Sequence, residues 1–467
     1  MSNLSDSPFK ELNDYKDENY ICQPIQLKSP LVHIGVGAAG SLNLFEYVQD
    51  KKFIYFPNQT ALAEALQNPE SLQKSKAWQR PKRRQDSRSD FLEQYEKLSE
   101  QYINVIERNP RNKDEEIKKI VDKLTRLYSE ALGEEWLENK TIFPQTHISA
   151  NWVNHLLTSD IAPMIRNGFG EIYIPGSSIK GAIRTAIAYY LLKHKTTPQL
   201  SQIEHKLRNS MTAYQIKSKK DKLDDQTLIF PKSSLNSYLF SNFKFEYKGR
   251  YFGEINTANT DLMRAIKVSD SAPIKIDLKQ KINLPVVAEV ITSSFHEGGS
   301  SRTVKKHNFS SYVEMICNLQ TQLYIFVDKV MLKDWFKHQG GMQLPSQLET
   351  IQGILEICNE FAQAQWEHEQ RYWNTITDTS NLNFSSVRQF YANPFSYNLR
   401  LGWGTGMTGT TVDLLFEEAT RAKIRDACET RRPTNSTESP KSRRTATIPN
   451  QGNSIQQPLG WVNLEPL

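Results

Sequence analysis

Apolar positions along the chain fall into two periodicities, separated by stretches with neither, and each predicts a different element. Alternation comes first. From Ile25 the run IQLKSPLVHIGVG alternates apolar and polar residues and breaks at Gly35 and Gly37, which predicts a strand running into a glycine loop. FEYVQDKKFIYFPN predicts a hairpin turning at Gln49, Asp50 and the two lysines after them, and GEIYIPG, TLIFPKSSLNSYLF and FKFEYKGRYF predict further strands. LPVVAEVITSSF and TQLYIFVD are β-branched enough to add two more, while HNFSSYVEMICNL between them is ambiguous.

The second periodicity is helical. Phe91, Tyr95, Leu98, Tyr102 and Ile106 keep a three-to-four spacing, RNPRN breaks it, and Ile117, Val121, Leu124, Tyr128 and Leu132 resume it. Two such stripes meet in a helical hairpin, read as an insertion at about 60–140 with a structural or partner-facing role. Its preceding loop, KAWQRPKRRQDSR, is basic. A helix over Ser346–Tyr372 carries Ile351, Leu355, Cys358 and Phe361 on one face. In IPGSSIKGAIRTAIAYYLL, Ile179, Ala182, Ile183, Ala186, Ile187, Tyr190 and Leu191 form a single apolar face.

Residues 1–24 read as a polar, flexible leader. From Glu429 the text ETRRPTNSTESPKSRRTATIPNQGNSIQQ has little to bury, so 429–467 is expected to be a mostly disordered basic tail. Between these ends the pattern suggests a unit over 25–280 holding the insertion and a second over 281–428. Strands and helices mix without βαβαβ regularity, which points to the α+β class.

Charge modifies this picture only mildly. Lys and Arg outnumber Asp and Glu by 58 to 52, a net +6 that permits a polyanionic partner without requiring one. The four cysteines form no CxxC pair and no Cys/His cluster, so no zinc ribbon or disulfide framework is supported and free thiols in a reducing compartment are expected. No window reaches the roughly 18 apolar residues of a membrane span. The expectation is a soluble cytoplasmic protein with no membrane partner, no metal and no cofactor.

Four stretches carry candidate chemistry. In the Ile174–Leu192 run, Pro175-Gly176 turns the chain sharply, Ser177 and Ser178 supply hydroxyls with Ser178 placed to cap the helix, and Lys180, Gly181 and Arg184 follow on its first turns. That is a candidate phosphate seat, although GxxxxGK[ST] is absent and a mononucleotide P-loop is not indicated. LRLGWGTGMTGTT places Gly402, Gly404, Gly406 and Gly409 around Trp403 and Met407, with Arg400 on the entering strand, so amides and a ring are offered together. It lacks the GxGxxG fingerprint of dinucleotide binding. DLMRAIKVSDSAP sets Arg264 three residues from Lys267, with Asp270 able to hold a cation or cap a turn. In SPLVHIGVG, His33 stands where strand becomes glycine loop, and no second histidine lies at metal spacing.

In this order, LVHIGVG, IYIPGSSIKGAIRTAI, MRAIKVSDS and LRLGWGTGMTGTT resemble the RAMP superfamily of CRISPR-associated RNA-binding proteins. The flavour is most like the fifth-subunit family of the type III-A Csm effector complex. The resemblance spans residues 31–411 and leaves out the insertion and the tail. It implies two ferredoxin-like (RNA-recognition-motif-like) domains, and a non-catalytic subunit that binds the CRISPR RNA (crRNA) and caps the ribonucleoprotein near the guide's 3′ end. It also implies contact with other Csm subunits, above all the repeated backbone RAMP subunit, and support of 3′-end maturation by separate host nucleases. The RNA-facing positions it implies are His33, Gly35, Gly37, Gly176, Ser177, Ser178, Lys180, Gly181, Arg184, Arg264, Lys267, Arg400, Gly402, Trp403, Gly404, Gly406 and Met407, with no catalytic residue. The alternatives are a related metal-independent endoribonuclease using His33 on CRISPR repeat RNA, or a backbone subunit that polymerises along the guide.

Overall fold

A computed structural model describes residues 19–35, 40–67, 87–153, 155–194, 236–247, 250–252, 257–298, 301–339, 341–378, 382–428, 439–450 and 453–467. The leader before residue 19, Gly37, most of the basic loop before Ser87, and residues 227–235 and 429–438 lie outside them.

The alternating run at Ile25 belongs to strand β1 (Tyr20–Val32), which starts five residues earlier than its apolar pattern does. Val48–Gln49 (β2) and Phe53–Tyr55 (β3) form the expected hairpin, and β4 (Ile148–Asn151) pairs beside it. β5 (Ile161–Ala162) and β8 (Ile266–Val268) are short. β6 (Phe243–Tyr247) pairs with both β7 (Arg250–Phe252) and β11 (Phe336–His338) in a separate three-stranded sheet. GEIYIPG is no strand, because its pairing is confined to an isolated bridge between Arg166 and Ile172.

β9 (Leu284–Gly298) and β10 (Ser301–Asp328) are long antiparallel partners, and the ambiguous HNFSSYVEMICNL lies within β10. With β12 (Leu399–Arg400) and the C-terminal β15 (Trp461–Pro466) they build one sheet in the order β12-β15-β1-β10-β9-β4-β3-β2. β1 therefore pairs along its length with β10, Leu27 opposite Thr321, so hydrogen bonding crosses the division expected at 280/281. The two halves share a sheet.

Helices cover this sheet. α1 (Gln59–Gln67) precedes the expected helical hairpin of α2 (Ser87–Arg108) and α3 (Lys113–Leu132), and α2 and α3 bury Val105, Ile117, Val121, Leu124 and Tyr128 against Ile54, Phe143 and Val287. These helices are thus part of the core. α4 (Gly176–Lys193) packs on β8 and β12 and against α5 (Ile351–Asn374). Its expected stripe is buried at Ile179, Ile183, Ala186, Ile187 and Leu191, and Tyr189 and Leu192 are buried as well. The ring of Tyr189 meets Phe361 of α5 at 4.8 Å, because α5 covers a second face of the helix. α6 (Ser385–Ala392), the one-turn α7 (Gly406–Thr410) and α8 (Glu418–Cys428) follow.

The tail expectation is overturned at 442–450 and 453–466. β13 (Ser442–Asn450) pairs with β9, β14 (Asn453–Gln457) pairs with β13, and β15 pairs with both β1 and β12. Trp461 is fully buried in an aromatic cluster with Trp366, Trp373, Phe384 and Tyr391. The polar text misled because its charge is satisfied at long range: Arg443, 6% exposed, holds Glu369 of α5 at 2.9 Å.

Candidate nucleic-acid interface

The turn before α4 is built by close approach. Gly176 is buried, and a Cβ there would overlap the backbone carbonyls of Val268 and Ser269, so only glycine fits. Its N–H donates to Asp270 Oδ1 at 2.8 Å, and the Ile174 N–H donates to Ser271 Oγ at 2.9 Å. A carboxylate of the chain itself thus occupies the positive end of α4. The side chain of Ser178 makes no cap hydrogen bond, and Pro175 stands at the N-cap. The seat expected for a phosphate on these amides is, at Gly176, filled by Asp270.

The cations around this turn divide into engaged and available ones. Arg184 forms a two-pronged pair with Asp261, both contacts 2.9 Å, and lies 3.9 Å over the Phe240 ring. Arg264 is exposed, with Nη1 donating to the Asn259 carbonyl at 2.6 Å. Lys267, exposed, lies 5.5 Å over the Tyr20 ring. Lys180 is half-buried. Burial lowers its pKa, Arg184 and Lys267 lower it further, and Asp261 opposes them. Ser177 and Gly181 are exposed beside it. Lys180 and Lys267 therefore stand close enough to feel each other's charge on a surface that Asp261 and Asp270 only partly neutralise.

The His33 strand and the glycine-rich loop meet directly. The Trp403 N–H donates to the His33 carbonyl at 3.0 Å, and the two rings meet edge to face at 5.9 Å. His33 is 3% exposed, and its Nδ1 lies 2.6 Å from the Glu314 carbonyl; a carbonyl can only accept, so Nδ1 carries the proton. Burial lowers its pKa, opposed by Glu314. Gly35 bridges to Met164. Together His33, Gly35, Gly402 and Trp403 border a cavity of about 710 Å³ that reaches Tyr102 of α2 and Tyr312 of β10. Trp403 is 36% exposed, with the Arg444 guanidinium 4.8 Å over its ring. Met407 is half-buried and Gly406 exposed. α4 packs against both β12 and α7.

Arg400 is not the surface cation its position suggested. It is 5% exposed, 4.9 Å over the Trp461 ring and 4.0 Å from Glu369 Oε1. Spacing along the sequence also missed the cluster of Glu369, Arg443 and His368, whose members come together only through β13. Equally unforeseen is Glu314, fully buried, held by both arms of Arg166 at 2.8 and 2.9 Å and by Ser149 Oγ at 2.7 Å. Burial would raise its pKa, yet Arg166, Ser149 and the Met164 amide outweigh it and hold the carboxyl below its ordinary range. Among the described residues no group of three or more His, Cys, Asp and Glu side chains could hold a metal ion, and no helix is long and apolar enough to cross a membrane.

The RAMP superfamily sequence pattern matches residues 24–351, well over half of the chain and inclusive of most of β1, the α4 entrance and the Arg264–Asp270 stretch. The chain belongs to the RAMP superfamily. No curated protein sequence matches it. Among solved structures, it is similar to a chain of a Csm-crRNA-target RNA ternary complex of a type III-A CRISPR-Cas system, with 20% identity, a TM-score of 0.51, and coverage of 95% of this chain and 100% of that one. At that identity the likeness is one of fold. It is also similar to T. onnurineus Csm5, with 19% identity, a TM-score of 0.48, and coverage of 94% and 100%. In this RAMP-superfamily chain the glycine-rich loop lies beyond the matched residues, so its placement against His33 rests on the fold.

Proposed function

We propose that this chain is a non-catalytic crRNA-binding subunit of a type III-A CRISPR (Csm) ribonucleoprotein. The observation that carries the reading is its membership of the RAMP superfamily, joined to a fold like that of one chain of a Csm-crRNA-target RNA complex along nearly its whole length. The subunit caps the complex near the crRNA 3′ end, sits against the repeated backbone subunit, and supports 3′-end maturation by separate nucleases in the cytoplasm.

The surface chemistry supports RNA as the ligand. Ser177, Ser178 and Gly181 present hydroxyls and open backbone to phosphates and 2′-hydroxyls, with Lys180, Lys267 and Arg264 adding charge. The part-exposed Trp403 ring offers a base-stacking platform beside Gly404, Gly406 and Met407. His33 and Gly35 shape that loop from behind, and the inward-facing, buried His33 is a poor general acid or base for the endoribonuclease alternative.

Copurification from the native host with sequencing of the bound RNA tests this. Guide RNA with one copy of the chain per complex is the expected result. Isolation free of RNA would overturn the reading, several copies per guide would favour a backbone subunit, and site-specific cleavage of repeat RNA lost in His33→Ala would favour an endoribonuclease.

A further inference from the structure

Behind the glycine-rich loop, between β12, α7 and β13, lies a second cavity of about 170 Å³. Its charged lining is Arg400, Arg443, Arg444 and Glu369, three cations against one carboxylate. Arg443 is spoken for: it holds Glu369 at 2.9 Å and donates to the Pro440 carbonyl at 2.6 Å. Arg400 is not. One face of its guanidinium covers the Trp461 ring at 4.9 Å, the carboxylate oxygen of Glu369 is 4.0 Å away, and its Nε and Nη1 have no hydrogen-bond partner among the described residues.

At 5% exposure Arg400 has lost most of its access to water, and arginine has no neutral form to adopt at any ordinary pH. A buried guanidinium left this way carries a desolvation cost that one well-placed anion offsets. Size and sign then narrow the occupant. The cavity falls below the roughly 300–1,000 Å³ of pockets that enclose a nucleoside-sized ligand. Its charge excess rejects cations and gives a neutral guest nothing to neutralise. A tetrahedral oxyanion matches both constraints, since two or three of its oxygens can accept from a planar guanidinium fork.

We propose that this cavity binds a single phosphate group, with Arg400 at its floor and Arg444 at its mouth. Arg444 is exposed and also covers the Trp403 ring, so the pocket opens next to the proposed stacking platform. The phosphate can come from an RNA strand whose neighbouring base lies on Trp403, or from inorganic phosphate. The inference goes beyond RNA binding and stands even if the chain never touches RNA.

The test is thermal unfolding and calorimetric titration of the full chain with inorganic phosphate, against chloride at equal ionic strength. Saturable stabilisation is expected, with the apparent Kd raised at least about tenfold in Arg444→Ala and in Arg400→Lys, each of which removes a charge-assisted contact. If Arg400→Lys fails to fold, the exposed Arg444 carries the test alone. No saturable shift in the wild type, or a shift that survives unaltered in the folded variants, would overturn the proposal. A parallel arm compares 3′-phosphorylated with 3′-hydroxyl oligoribonucleotides: a preference for the phosphorylated strand that inorganic phosphate competes away assigns the pocket to RNA. Phosphate binding without that preference assigns it to the free ion. Loss of all RNA binding alongside intact phosphate binding would sink the RNA reading and leave the pocket standing.

Discussion

Gly402 turns at a φ of 84° so close to the His33 carbonyl that a Cβ would overlap the oxygen, while the next residue, Trp403, donates its amide to that same carbonyl. The loop is therefore pinned to the end of β1 by a position that accepts no side chain. Gly402→Ala combines a left-handed backbone with a backbone overlap and is expected to lower stability by about 2–4 kcal/mol. Denaturant unfolding reads this, and a change below about 0.5 kcal/mol would show that the loop does not sit on His33.

Arg184 is expected to matter for folding more than for RNA. Its two-pronged pair with Asp261, whose Oδ1 also accepts the Met263 N–H at 2.8 Å, ties α4 to the turn before β8. Arg184→Ala should cost about 1–3 kcal/mol of stability and leave the salt dependence of RNA binding as it was. Unaltered stability with a shallower salt slope would reverse that assignment.

His368 contributes a pH dependence whose sign is fixed by its burial. Burial, and then the charge of Arg443, lower its pKa from 6.5 to about 4, with Glu369 opposing. The folded chain thus keeps it neutral where the unfolded chain binds a proton, so stability is lost as pH falls from about 6.5 towards 4, at no more than about 1.4 kcal/mol per pH unit. His33 and His147 are also lowered by burial and act in the same direction. Urea unfolding at pH 7 and pH 5 should show a smaller drop in His368→Gln than in the wild type. Equal drops would contradict the assignment.

The C-terminal strands carry part of the core. Trp461 is fully buried, and its Nε1 donates to the Tyr391 hydroxyl at 3.1 Å. Trp461→Ala should destabilise by about 3–5 kcal/mol, and removal of residues 458–467, which also strips β15 from β1 and β12, should leave little cooperative unfolding. A melting temperature unchanged by that truncation would show that β15 is dispensable.

Periodicity revealed what is local. The α2–α3 hairpin, α4, α5 and the β2–β3 hairpin follow from burial patterns that each segment carries by itself. Features decided by distant partners were illegible: Arg443 reads as a solvated tail residue until Glu369 is placed beside it, and the middle of β10 stayed ambiguous because it bears the buried charge of Glu314, satisfied by Arg166 from 148 residues away. Glycines were the subtlest case. Gly176 reads as an opening for phosphate, yet its bareness is needed for packing against Ser269, and Asp270, seen only as a cation holder or turn cap, closes the amide.

The salt dependence of RNA binding to the purified chain probes the RNA-facing surface most directly. Log affinity should fall linearly with log salt concentration, and Lys180→Ala combined with Lys267→Ala should shrink that slope by about 1.4, or about 0.7 for each single-strand phosphate contact removed. An identical slope in wild type and double variant, with both proteins folded, would contradict an RNA strand running across the entrance of α4.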